Sequence, residues 1–351
     1  MTLALPYNDL DLVLAQTLSF WRRYQGAKFL LTGGTGFVGN WLVQTVQRAN
    51  DTLGAKIQLI VPSRDTARAL RNQPGVFARS DIWLINGDIA SFNLPPGPID
   101  LCIHAATDVA DPSRTAHALG MFVSIVDGTR HVLDVSRARG VSRLLLASSG
   151  AVYGTQPPEL ERVTETFCGA PDPLQPATAY GSAKRAAEWL TAANANDGAN
   201  KGFEATIARI FALIGPGIPL NGPFAAGNFI RDALAASAVK VHGDGRAIRS
   251  YLYMADLCVW LLRLLESGES GTAYNVGSEH ALSIGDLATM VARSNPSLRV
   301  EIENPSSTNL ASPRYVPDTH KARQSLGLEE LTPLPLAIEK TLHWTRATNS
   351  P

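Results

Sequence analysis

Residues 29–39 read FLLTGGTGFVG, and the rest of the chain is best read outward from them. An apolar run over 29–31 ends at Thr32 and opens into Gly33, Gly36 and Gly39 at three-residue spacing. A helical pattern over 40–47 follows at once. Strand, glycine turn and helix in that order form a dinucleotide site. The first glycine permits the tight turn, the second lets backbone approach a pyrophosphate, and the third lets the helix pack on the strand. The phosphates would rest on the free N–H groups at the start of the helix. Gly33, Thr35, Gly36, Phe37, Val38 and Gly39 are therefore the expected contacts.

The composition sets bounds on function. A chain of 351 residues can bury a large core, as one α/β unit or two joined lobes. Its 31 basic and 31 acidic residues balance, and no basic run stands out. That argues against nucleic acid or an acidic membrane surface as the main partner. Cys102, Cys168 and Cys258 have no metal spacing, and an odd count gives no disulfide framework. They read as small buried thiols of a reducing cytoplasm, with no metal expected. No apolar segment approaches the roughly 18 residues of a membrane span. Asp9 and Asp11 interrupt the N-terminus without a basic region before them, unlike a signal peptide. The expectation is a soluble, cytoplasmic protein.

Residues 1–26 form an N-terminal extension in which Leu10, Val13, Leu14, Thr17, Leu18 and Trp21 fall at helical spacing. Its expected role is packing. Further strands are expected over 56–61, 82–85, 100–104, 143–147 and 203–209, with helices over about 116–139 and from 179 onward. This alternation predicts an α/β fold with a parallel, doubly wound sheet. Beyond Gly215 the alternation fades, and Pro216, Pro219 and Pro223 punctuate loops, so a smaller second lobe is expected from about 210.

Two further stretches carry chemistry. In YGSAK, Tyr180 and Lys184 stand at i and i+4 and share a helix face. An ammonium beside a phenol favours the phenolate, moving a group that titrates near pH ~10 towards neutrality. Such a phenol can move a proton on or off a hydroxyl while hydride leaves or reaches the same carbon. In LASSGAVYG, 146–154, a hydroxyl at the end of a parallel strand points into the crevice where such sheets bind ligands. Ser149 is placed to hydrogen-bond the oxygen that exchanges its proton with Tyr180.

Together these constellations resemble the extended short-chain dehydrogenase/reductase superfamily, and within it the nucleotide-sugar epimerase/dehydratase family. The resemblance covers about 28–328. It rests on TGGTGFVG (32–39), GDI (87–89), HAAT (104–107), LLASSGAVYG (145–154), YGSAK (180–184) and GDGRAIRSYLYMADL (243–257). It implies a Rossmann domain over 27–209 holding NAD or NADP. A substrate lobe over 210–351, with some segments returning to the first domain, would grip a sugar nucleotide. Tyr180 becomes the acid/base, Lys184 its pKa-lowering and ribose-binding partner, and Ser149 the third catalytic residue. Asp88 and Ile89 become adenine contacts, and Ala105, Ala106 and Thr107 further cofactor contacts. Asn228 and Arg249 fall where relatives contact the sugar nucleotide, and an arginine fork suits a diphosphate. Relatives pair the helices over 116–139 and 179–193 across a two-fold axis, which implies a homodimer.

The sequence also departs from the family pattern. The 4,6-dehydratases carry an Asp-Glu pair just after the catalytic hydroxyl, and decarboxylases keep a glutamate there. Gly150 and Ala151 stand at these positions and carry no proton. That favours an epimerase or 4-ketoreductase over a dehydratase or decarboxylase. A dinucleotide-binding sensor and a reductase of some other carbonyl stay open. Ala212 replaces the substrate-binding asparagine of many relatives. An acidic residue closing the second strand would bond the ribose 2′-OH of NAD. Pro62-Ser63-Arg64 offers instead a hydroxyl and a guanidinium suited to the 2′-phosphate of NADP, while Asp65 keeps NAD open.

Overall fold

The computed structural model describes residues 4–107, 118–199, 202–235, 238–304 and 312–349. The extension folds as α1 (Tyr7–Gln16) and α2 (Leu18–Arg23), which break at Thr17. Leu10, Val13, Leu14, Phe20 and Trp21 are buried, whereas Leu18 is exposed despite its spacing. Next come β1 (Lys28–Thr32), α3 (Phe37–Leu53), β2 (Gln58–Ser63), α4 (Thr66–Asn72), α5 (Pro74–Phe77), β3 (Ile82–Asn86) and β4 (Leu101–His104). They are followed by α6 (Ala118–Ala138), β5 (Arg143–Ser149), α7 (Ala179–Ala195) and β6 (Glu204–Ile210). The expected start of α6 at 116–117 lies outside the described residues.

These six strands and Ala273–Val276 make one parallel sheet, in the order β3-β2-β1-β4-β5-β6 and then Ala273–Val276. Helices cover both faces, so β4 and most of β1 read as unbroken apolar runs and are buried. The strand order reverses between β1 and β4, where Thr32 pairs with His104. A doubly wound sheet opens its ligand crevice at that point.

β2 runs two residues past its expected end, through a proline. The N–H of Leu59 donates towards β3 and that of Gln58 towards β1, so the N–H groups alternate sides. Pro62 falls on the β1 side, beyond the last β1 pair at Ile60. Its missing donor therefore costs no ladder bond.

After β6 the chain builds short strand pairs and α8 (Ala225–Leu234), then returns to the sheet. Helix α9 (Met254–Ser267) packs on β5, β6, α1 and α3, and is apolar nearly all round because it is enclosed on every side. The strand Ala273–Val276 adds to the sheet beside β6. The chain then runs through α10 (Ile284–Ala292) and α11 (His320–Leu326) to α12 (Leu334–Asn349). Among the described residues no helix is long and apolar enough to cross a membrane.

Candidate active site

A cavity of about 2020 Å³ runs along the carboxyl ends of the strands from α4 to the segment after β6. Gly33, Thr35, Gly36, Phe37, Val38 and Gly39 line one wall, with Ser63, Arg64, Ile89, Ala105, Ala106 and Thr107 around them. Ser149, Tyr180, Lys184 and Arg249 line the other end. Two expected residues stand back from it. The Asp88 carboxylate accepts from the Ala90 N–H at 2.9 Å. The Asn228 amide donates to the Gly222 carbonyl at 3.1 Å, shaping a loop whose residues 221–224 do line the cavity.

The glycine turn fits a dinucleotide. Gly33 adopts φ +73°, and a Cβ there would lie 2.7 Å from the Ala105 backbone. A Cβ on Gly39 would lie 2.1 Å from the Gly33 carbonyl oxygen, so only glycine lets α3 start this close to the turn. Gly36 caps α3 without any side-chain bond, leaving the first N–H groups of the helix to face the cavity where anions are favoured. This uncapped helix start and glycine-tight turn suit the pyrophosphate of NAD(P).

Ser149 ends β5. Its Oγ accepts from the Ala151 N–H at 3.2 Å and lies 3.3 Å from the Tyr315 hydroxyl. Tyr180, in the first turn of α7, is half-buried beside it. Burial pushes the Tyr180 phenol above its ordinary range, and the hydrogen bond from Ser149 draws it partly back. The expected lowering by Lys184 is not what dominates here. The Lys184 Nζ lies 6.0 Å from the centre of the Tyr180 ring and spends two of its three donors on Thr107 Oγ1 at 2.7 Å and the Ala147 carbonyl at 2.8 Å. Burial draws Lys184 itself down to about 8, with the Glu188 carboxylate pulling the other way.

Beneath the turn, Thr32, His104 and Thr129 form a buried chain whose direction is fixed at its Thr129 end. With Nε2 of the neutral His104 donating there, Nδ1 accepts from Thr32 Oγ1 at 2.7 Å, and Thr32 in turn accepts from the Ala106 N–H. Thr129 donates to the Ile125 carbonyl at 2.7 Å, so it accepts from His104 Nε2 at 3.2 Å. Burial and the nearby Lys184 charge hold His104 down at about 3, so it is a neutral pillar of the crevice.

Behind the site, Glu188 accepts from Ser148 at 2.5 Å and from Arg209 at 2.7 Å, pinning α7 to β5 and β6.

Arg68 and Tyr315 are among the lining residues that escaped the sequence reading. Arg68, one turn beyond Arg64, joins the α4 wall. Tyr315 arrives from the two-residue strand Arg314–Tyr315, and its ring centre lies 4.5 Å from that of Phe211. A Cβ on Gly150 would sit 2.6 Å from the Phe211 ring. Aromatic rings thus fill the space where a side chain at position 150 would begin.

UDP-glucuronic acid decarboxylase 1 of Xenopus tropicalis is 30% identical to this chain over 337 residues, covering 93% of the chain and 76% of the relative. The solved structure of MoeE5 in complex with UDP-glucuronic acid and NAD is similar with a TM-score of 0.73 at 25% identity. That likeness covers 91% of this chain and 99% of MoeE5. UDP-glucose 4-epimerase of Thermotoga maritima, with UDP-glucose, shares the fold at a TM-score of 0.74 and 20% identity, covering 92% and 100%. Residues 29–277 match the model of the NAD dependent epimerase/dehydratase family. A match of that length, on this sheet order, makes the chain a member of that family and an NAD(P)-dependent enzyme of the extended short-chain dehydrogenase/reductase kind.

Proposed function

We propose that the protein oxidises C4 of a nucleotide sugar, and that UDP-glucuronic acid is the substrate its site and relatives fit best, with loss of the carboxyl group as the following step. The convergence of Ser149, Tyr180 and Lys184 at the end of β5, facing the glycine turn, carries this reading. NAD(P) would supply the hydride acceptor, and the positive charge of its oxidised nicotinamide would offset the burial that raises the Tyr180 pKa. As phenolate, Tyr180 takes the proton of the C4 hydroxyl, and Ser149 holds the same oxygen as the C4–H bond breaks.

The ketone formed at C4 is β to the C5 carboxylate. Carbon dioxide then leaves, and its bonding pair passes into the carbonyl without help from any base. Ser149 and Tyr180 hydrogen-bond the resulting enolate oxygen. C5 next takes a proton, for which the Tyr315 phenol beside Ser149 is placed. Return of hydride to C4 gives a UDP-pentose.

This step lightens the weight that Gly150 and Ala151 carry against a decarboxylase. Their lack of a carboxylate stands against dehydration, which must move protons on neighbouring carbons. Loss of carbon dioxide itself needs no such base, so the glutamate that decarboxylases keep and this chain lacks bears only on the proton that C5 takes afterwards. The decarboxylase relatives therefore support the reading set aside from the sequence more than they support a ketoreductase. A C4 epimerase is the second reading, favoured by Ala151, because hydride out and back needs only Ser149, Tyr180 and the cofactor. UDP-glucuronic acid deuterated at C4 tests the opening move common to both. Slower turnover with the deuterated sugar is expected, and an identical rate with deuterium absent from the reduced cofactor would refute it.

The same reading includes a homodimer. α6 and α7 pack on one another and leave Leu119 and Val123, one turn apart, and Trp189 exposed. This apolar face suits the same pair of helices in a second copy.

A further inference from the structure

The N-terminal extension reaches the cofactor cleft through a line of amides. Helix α3 carries Asn40, Gln44 and Gln47 at i, i+4 and i+7, and all three side chains bond outside their own turn of helix. The Leu5 N–H donates to Gln44 Oε1 at 2.9 Å. Gln44 Nε2 donates to Asn40 Oδ1 at 2.5 Å, and Asn40 Nδ2 donates to Gln73 Oε1. Gln47 Nε2 donates to the Val76 carbonyl at 2.7 Å. Gln44 and Gln47 are 6% and 7% exposed, so these bonds are made away from water.

Gln73 joins α4 to α5 and lines the cavity on the wall that carries Arg64 and Arg68. The first turn of α3 lines the facing wall.

The polarity of this relay is fixed at its remote end. A backbone N–H can only donate, so Gln44 must turn its oxygen to Leu5 and its nitrogen to Asn40. Asn40 must then turn its nitrogen to Gln73, whose oxygen is thereby taken. What Gln73 keeps for the cavity is its NH₂ group.

The extension is itself anchored. Arg48 of α3 grips both oxygens of Asp11 at 2.7 and 2.8 Å. The Tyr253 hydroxyl donates to the buried Asp9 at 2.6 Å, and Trp344 of α12 donates to the Ala4 carbonyl at 3.0 Å.

We infer that Gln73 is a cofactor-binding residue at the adenosine end of NAD(P), and that residues 4–16 orient its amide through Gln44 and Asn40. The NH₂ group donates to ribose or phosphate oxygens of the adenosine half, the same acceptors that the Arg64 wall suits. The extension is therefore a working part of the cofactor site as well as a cover for α3 and α9.

Binding of ADP-ribose, nicotinamide mononucleotide and NADPH to the full-length protein tests this by calorimetry, with melting temperature recorded alongside. Gln73→Ala should weaken ADP-ribose and NADPH about fivefold to tenfold. Gln73→Glu, which replaces donors by acceptors, should weaken them further. Gln44→Met, well away from the cavity, frees the Gln73 amide to turn and should cost about twofold to fivefold. Nicotinamide mononucleotide should bind all three variants as it binds the wild type, a pattern that general loosening of the fold would not give. Wild-type affinity for ADP-ribose in Gln73→Ala or in Gln44→Met overturns the inference, as does an equal loss for both halves of the cofactor.

Discussion

Lys184→Met should remove a rise in the fold's stability between pH 8 and 10.5, together with its activity. The ammonium of Lys184 is buried at the floor of the crevice, and its pKa falls from 10.5 to about 8. That gap of about 2.5 units, at roughly 1.36 kcal/mol each, makes the charged lysine cost the native state about 3 kcal/mol. Below pH 8 both native and unfolded chains carry the proton, so the whole cost is present. Between pH 8 and 10.5 the native state sheds its proton while the unfolded chain keeps it, and stability rises with pH. Methionine removes the charge but leaves Thr107 Oγ1 and the Ala147 carbonyl without their donor, a loss of roughly 1–3 kcal/mol at each. The net effect at pH 7 then lies between about 1 kcal/mol in favour of the variant and about 3 kcal/mol against it. Urea denaturation of both proteins at pH 7 and pH 10 measures it, because every other titrating group cancels in the difference. Wild type should gain about 2–3 kcal/mol on the variant between the two pH values. A difference that does not change with pH would refute the reasoning. Turnover and cofactor affinity should both fall in the variant, the outcome expected from the ribose-binding part that the family resemblance implies for Lys184.

Three shorter predictions bear on the other parts of the site. Tyr180→Phe should abolish turnover and leave cofactor affinity within a few-fold, and a variant keeping most of its activity would remove Tyr180 from the acid/base role. Arg64→Ala should cost about tenfold to a hundredfold in NADP affinity, the worth of a charge-assisted bidentate contact, with little change for NAD. Arg68→Ala should act in the same direction, and equal losses of both cofactors would leave neither arginine a part in cofactor choice. Trp189→Glu should convert a dimer to a monomer in sedimentation at micromolar concentration, and an unchanged sedimentation coefficient would take α7 out of the interface.

Much of the Rossmann half could be read in the sequence because its signals are local. The glycine spacing of 33, 36 and 39 encodes a turn that a Cβ would block at Gly33 and Gly39, and the buried strands are continuous apolar runs. Strand ends were less legible. Pro62 looked like a stop, and only the alternation of N–H groups between β1 and β3 shows why it is tolerated. The return of Ala273–Val276 to the sheet left no local trace, since a four-residue run reads alike in any layer. Tyr315 was missed for a related reason. It stands 166 residues from Ser149 in a two-residue strand, with no periodicity to mark it. The pKa of Tyr180 was misjudged because spacing on a helix shows that Lys184 is near, yet not that two of its donors are already engaged by Thr107 and Ala147. The polar face of α3 was visible as Asn40, Gln44 and Gln47, but amides on a helix ordinarily face water, and here two of them are buried.

UDP-glucuronic acid labelled with ¹³C at C6, incubated with the protein and a catalytic amount of NAD or NADP, separates decarboxylation from epimerisation. Labelled carbon dioxide and an unlabelled UDP-pentose are expected in equal amounts, with no net reduction of the cofactor, and loss of both products in Tyr180→Phe. Label retained in a UDP-hexuronic acid inverted at C4 would contradict decarboxylation and leave the protein an epimerase.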